Sequence, residues 1–183
     1  MAIYIEGKTL CPLCGQPVEP ADSPRTVAFS YFVPNELDPL YIFNDAVFHT
    51  EHFDAHPLHD AALARLAERE RRQAAHTCYI SGTEAVIENY KNPANLIFTD
   101  WFTDDPADSL HEYNYRYLNK YYFEQWPERQ RFLDAVEQLD VSGRWRGPYL
   151  RQLLRQLTSP LQPAWSSEMQ ATYKQRFETE HAA

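Results

Sequence analysis

Glycine is scarce in this chain, with five among 183 residues. So few cannot supply the glycine-rich loops that cradle phosphates in nucleotide-dependent enzymes. Neither a P-loop nor a G-x-G-x-x-G spacing occurs, and the G-x-S-x-G elbow of esterases and the H-E-x-x-H helix of zinc proteases are also missing. Long apolar runs are absent too, since nothing approaches the roughly 20 residues that a membrane-crossing helix needs. The opening MAIYIEGKTL has neither the basic start nor the apolar stretch of a signal peptide, so the cytosol is the expected compartment. Positive charge is short as well: 17 Lys and Arg face 26 Asp and Glu, giving a net charge of -9. Such a surface repels phosphate backbones and anionic membranes and favours a protein or small-molecule partner; nucleic-acid binding would need a local basic patch. Cysteine numbers only three. That is too few for a disulfide framework, and the pairing Cys11-Pro-Leu-Cys14 suits metal binding in a reducing compartment better.

What the chain does hold is hydrophobic and aromatic, at 44% and 14%, enough for one domain or two small ones. The segment CPLCGQP sets two thiols three positions apart, with Gly15 following where a turn around a metal calls for positive φ. A second pair, His49 and His52, closes the stretch YIFNDAVFHTEHF and is expected on one face of a first helical turn. Two sulfurs and two imidazoles complete a tetrahedral shell for one structural Zn²⁺, whereas a catalytic zinc keeps a position for water. The competing reading makes Cys11 and Cys14 small buried hydrophobes and the histidines helix caps. His56 and His59 extend the cluster, but Pro57 argues against an unbroken helix through them. His56 is an alternate ligand in place of His52. A hydrolytic zinc would also need a base, for which Glu51 is a weak candidate.

A knuckle, β-type residues and a ligand pair that opens a helix together resemble the treble-clef zinc fingers, and FHTEHF is similar to the second ligand pair of LIM-type fingers. The likeness covers about residues 8 to 75. It implies the fold and the four ligand roles, and it departs in the 34 residues between Cys14 and His49 and in a final His where LIM fingers usually carry Cys. The spacing differs from that of the common DNA-reading C₂H₂ finger.

The chain also repeats with a period near 70. Cys11-Pro-Leu-Cys14-Gly15 aligns with Cys78-Tyr-Ile-Ser81-Gly82, and VAFSYF from Val27 aligns with LIFTDW from Leu96. Residues 38–57 align with 108–127, with five identities in twenty positions where about one is expected from average residue usage. In this register His49 falls on Asn119 and His52 on Tyr122. A metal-free second unit would replace ligation with packing among tyrosines such as Tyr113, Tyr115 and Tyr117. The alternative is an ordinary aromatic-rich segment.

The expected fold class is α+β: a zinc-stabilised treble-clef-like unit over 1–75, a degenerate repeat over 76–140 and a C-terminal helix and tail over 141–183. Helices are expected over 58–75, from Pro127, over 148–157 and over 168–178. The first should bury Ala62, Leu63 and Leu66 and present Arg65, Arg69, Arg71 and Arg72 to solvent. The residues after Ser159 read as a loose tail with Trp165 as an anchor. Trp101, Phe102, Asp104 and Asp105 form a candidate partner surface of aromatic and acidic groups. Together these features suggest a non-catalytic zinc-finger protein that binds another protein, one version being an acidic bacterial immunity or inhibitor protein. A nucleic-acid-binding finger protein and a zinc hydrolase or nuclease are the alternatives.

Overall fold

The computed structural model describes residues 4–5, 8–19, 25–86 and 91–181. It is an α+β chain. Among the described residues there are six α-helices and two antiparallel sheets of two strands each. The chain divides into two compact units, Met1–Arg69 with Trp145–Gly147, and Glu70–Arg144 with Pro148–Ala183. No helix among the described residues is long and apolar enough to cross a membrane.

The first unit opens on a tight turn. Cys11 N–H donates to the Gln16 carbonyl at 2.9 Å, Gly15 N–H donates to the Cys11 carbonyl at 2.8 Å, and Val18 N–H donates to the Thr9 carbonyl. Gly15 sits at φ +72°, in the left-handed region that a side chain disfavours. Strand β1 (Thr26–Phe29) then pairs with β2 (Ala46–His49), Thr26 opposite His49. The loop between them is folded by one amide: Asn44 Oδ1 accepts from Phe32 N–H and Val33 N–H at 3.0 and 2.9 Å, while Nδ2 donates to the Val33 carbonyl. A 3₁₀ turn, Pro39–Phe43, precedes Asn44 and is capped by Asp38, whose side chain accepts from Leu40 N–H. Phe29, Phe43, Phe48 and Phe53 pack with ring centroids 4.8 to 6.4 Å apart. Burial of each is worth about 1.5–3 kcal/mol.

Helix α1 (Thr50–Asp54) follows directly on β2, and α2 (His59–Ala74) begins after the Pro57 break. On α2 the expected faces shift. Ala62 and Arg65 are the buried positions, while Leu63 is 43% exposed. Positions 62, 65 and 66 share a face and Leu63 stands about 100° away from Ala62. Arg65 is thus not solvated: it pairs with Asp38 at 2.5 Å, the same carboxylate that caps the 3₁₀ turn. Removing either partner leaves a buried charge, a cost of about 3–5 kcal/mol. Residues 145–147 return to complete this unit. Asn35 Oδ1 accepts from Arg146 N–H, and Glu36 N–H donates to the Arg146 carbonyl. A Cβ on Gly147 would meet the Pro34 carbonyl at 3.0 Å, so glycine is needed there.

The second unit makes the same local bonds. Cys78 N–H donates to the Thr83 carbonyl, Gly82 N–H to the Cys78 carbonyl and Ala85 N–H to the His76 carbonyl, with Gly82 at φ +69°. These stand 67 positions beyond their counterparts in the first unit, Cys78 against Cys11. From the strands onward the displacement is 70. Strand β3 (Leu96–Phe98) pairs with β4 (Tyr117–Asn119), Leu96 opposite Asn119. Asn114 Oδ1 accepts from Phe102 N–H at 2.7 Å, and its Nδ2 donates to the Thr103 carbonyl, as Asn44 does in the first unit. Asp108 accepts from Leu110 N–H as Asp38 does from Leu40. Asp45 and Tyr115, 70 apart, both take positive φ. The strand pairing places Leu96 against Thr26, not against Val27, so the aligned strand blocks slide by one residue.

After β4 come α3 (Lys120–Phe123), α4 (Arg129–Val141), α5 (Tyr149–Thr158) and α6 (Ser167–His181). Phe132, Val136 and Leu139 on α4 and Leu150, Leu153 and Leu157 on α5 are buried. Arg144 and Arg151 pair with Asp108 and Asp140 at 3.2 Å. The segment 159–165 is not a loose tail. Lys120 Nζ donates to the Ser159 carbonyl and hydroxyl, Asn92 Nδ2 donates to the Pro163 carbonyl, and Trp165 N–H donates to the Lys91 carbonyl. Asn95 closes the strap by donating to the Gln162 carbonyl and accepting from Gln162 N–H. Burial lowers the Lys120 pKa, with Glu124 opposing that shift.

Candidate metal centre

Two turns deliver four donors to one place. The Cys11–Gly15 turn brings in Cys11 and Cys14, and the β2 to α1 junction brings in His49 and His52; one ligand atom from each lies within 4.8 Å of every other. The histidines are not both helical. His49 is the last residue of β2, extended at φ -66° and ψ 129°, and stands as the N-cap of α1, in whose first turn His52 lies. Because Thr26 pairs opposite His49, the sheet register itself fixes one ligand. The two rings stand 5.3 Å apart and nearly perpendicular.

The donor set fits a tetrahedral metal such as zinc. Cys14 Sγ is 3.5 Å from His49 Nδ1. Sulfur and nitrogen on one tetrahedral zinc would be about 3.6 Å apart, given zinc–sulfur and zinc–nitrogen bonds of about 2.3 and 2.0–2.1 Å. Among the described residues, buried His52 Nδ1 has no hydrogen-bond partner. A buried ring nitrogen left in that state is costly, and a metal bond would satisfy it. Its other nitrogen, Nε2, lies 3.8 Å from a Glu51 carboxylate oxygen, an outer partner of the kind that orients a ligating imidazole. Glu51 thus sits behind the cluster.

Cys11 is fully buried. Burial pushes its thiol up, but the backbone N–H groups of His49, Leu13 and Cys14, together with the adjacent His52 ring, bring the pKa down from 9.0 to about 6. The sign follows directly. A depressed thiol pKa stabilises the metal-free fold fully above about pH 9; the contribution shrinks as pH falls and is gone below about 6. Metal affinity should therefore fall below about pH 6, where the Cys11 thiolate takes up a proton. Metal affinity that held constant below that pH would contradict this electrostatic account.

The other candidates are engaged elsewhere. His56 Nδ1 accepts from Leu58 N–H at 3.1 Å, and its ring stands edge-on to Phe43, so among the described residues it is outside the four-donor cluster. His59 contacts Asp60 and Asp54 and stacks near Phe53. The partner surface needs correction as well. Phe102 is 5% exposed and packs near Phe132 and Tyr149, because the Asn114 clamp turns its backbone inward. Trp101 is half-buried against Tyr115, whereas Asp104 and Asp105 are exposed. Sequence reading missed the clamps of Asn44 and Asn114, although Asn is one of the five identities in the aligned blocks. In the second unit the ligand positions hold Cys78, Ser81, Asn119 and Tyr122. Asn119 there caps α3 by accepting from Tyr121 N–H, and Tyr122 packs against the Cys78 cluster. Comparison with protein families, curated proteins and solved structures finds no match for the chain.

Proposed function

We propose that this is a non-catalytic zinc-finger protein whose metal-holding unit and metal-free copy form a scaffold for binding another protein. The observation that carries this reading is the donor set itself. Cys11, Cys14, His49 and His52 supply four donors, and a tetrahedral zinc held by four protein ligands keeps no position for water. The nearest further histidines are occupied by Leu58 N–H and by Asp54 and Asp60. Zinc is preferred over other ions because two thiolates and two imidazoles are the soft and borderline donors it favours. The knuckle, the short hairpin and the helix that follows the second ligand pair support a treble-clef-like unit, and the bond-for-bond recurrence 67 to 70 positions on supports a copy without metal.

A protein partner is favoured over nucleic acid by the net charge of -9. With Phe102 buried, the acidic pair Asp104 and Asp105 beside Trp101 remains the surface for a basic partner, where complementary charge would speed association. The test is crosslinking capture with the metal-loaded full chain. One protein should be captured saturably, and Asp104→Lys with Asp105→Lys should reduce that capture roughly tenfold. Metal-dependent hydrolysis by wild type that is lost in His56→Ala with His59→Ala would replace this reading with the hydrolase.

A further inference from the structure

A cleft of about 260 Å³ opens beside the Cys78–Gly82 turn of the second unit. Arg71 and Arg72 reach it from the last turn of α2, and Arg116 reaches it from the residue ahead of β4. Thr77 and Tyr79 share the lining. In a chain with nine more acidic than basic groups, three arginines lining one small cleft stand out. The end of a helix favours cations, which accounts for Arg71 and Arg72 without a ligand. It does not account for Arg116, which belongs to another element.

Arg116 is also held in place. Its Nε donates to the Glu112 carbonyl at 2.8 Å, and its guanidinium lies 5.3 Å over the Tyr79 ring. The shared scaffold does not need an arginine there. The corresponding residue of the first unit, 70 positions earlier, is Ala46, and the same hairpin forms around it. An arginine oriented by a carbonyl and a ring, lining a cleft with two others, offers planar forks to tetrahedral oxygens. The cleft is small and the surrounding charge negative, which suits a compact dianion better than a polyanion.

We propose that this cleft binds a small phosphate monoester through Arg71, Arg72 and Arg116. The site is independent of the metal centre and of the protein-partner reading. The test titrates the metal-loaded full chain with phenyl phosphate and with inorganic phosphate at constant ionic strength, following arginine side-chain and backbone amide resonances. Saturable binding at one site is expected. It should weaken roughly tenfold or more in Arg116→Ala and in the Arg71→Ala with Arg72→Ala pair, recover partly in Arg116→Lys, and stay unchanged in Arg151→Ala, whose guanidinium pairs with Asp140. The amide spectrum reports folding at once, and if Arg116→Ala unfolds, the α2 pair carries the test. A response that grows linearly without saturating, or equal affinity in the arginine variants, would overturn the proposal. So would tighter binding of a single-stranded oligonucleotide with a salt dependence of several phosphates, which would mark a nucleic-acid surface instead.

Discussion

Stripping the metal with a strong chelator should abolish hydrogen-exchange protection in residues 26–29 and 46–54 and leave residues 129–158 protected. The asymmetry follows from what each unit has for a core. The first unit rests on one hairpin of four-residue strands, the five-residue α1 and a cluster of phenylalanines. Two-stranded hairpins of this size are marginal alone. A metal held by the four donors would join the Cys11–Gly15 turn to the β2 to α1 junction, and structural zinc contributes about 10–16 kcal/mol to folding in small fingers. The second unit instead has α4 packed on α5 through Phe132, Val136, Leu139, Leu150, Leu153 and Leu157. Cys11→Ser or His49→Ala should reproduce the chelator pattern, and elemental analysis should find one zinc per wild-type chain. Persistent protection of residues 46–54 in verified metal-free protein would falsify the structural role.

Giving the second unit the missing donors is the reverse experiment. Ser81→Cys, Asn119→His and Tyr122→His, beside native Cys78, should raise zinc stoichiometry from about one to about two per chain if a closed four-donor set forms. The grounds are the matched backbone: the turn at Gly82 and the pairing of Leu96 with Asn119 repeat those at Gly15 and of Thr26 with His49. The variant loses the Asn119 cap on α3, worth about 1 kcal/mol, and some packing at Tyr122, so its apo form should be less stable than wild type. A folded variant that still binds one zinc would end the idea of a metal-free copy.

The four candidate metal donors were legible because their spacing is local: each pair lies within four residues, and a turn glycine marks the first. Which nitrogen of His52 is buried and which faces Glu51 depends on the strand-to-helix junction, which spacing does not encode. Arg65 shows a different limit. Its charge suggested solvent, but Asp38, 27 positions earlier, offers a carboxylate at the core edge, and that pairing makes burial tolerable. Phe102 stood among acidic residues and read as surface until the Asn114 clamp fixed the direction of its backbone. The strand blocks aligned one residue out because the spacing between turn and strand differs in the two units, and a single slip exchanges the faces of a strand. The strap over 159–165 was invisible because its bonds join Asn92, Asn95 and Lys120 to backbone some 40 to 70 positions away.

The return of residues 145–147 bears on how the chain is made. Asn35, Glu36 and the carbonyl of Pro34 meet Arg146 and Gly147, which leave the ribosome more than a hundred residues later. During synthesis the first unit can gather its four candidate donors once His52 has emerged. Its last backbone bonds must wait until the stretch Glu70–Arg144 of the second unit has been translated. A unit that could take up a metal first would thus not be the first to be finished.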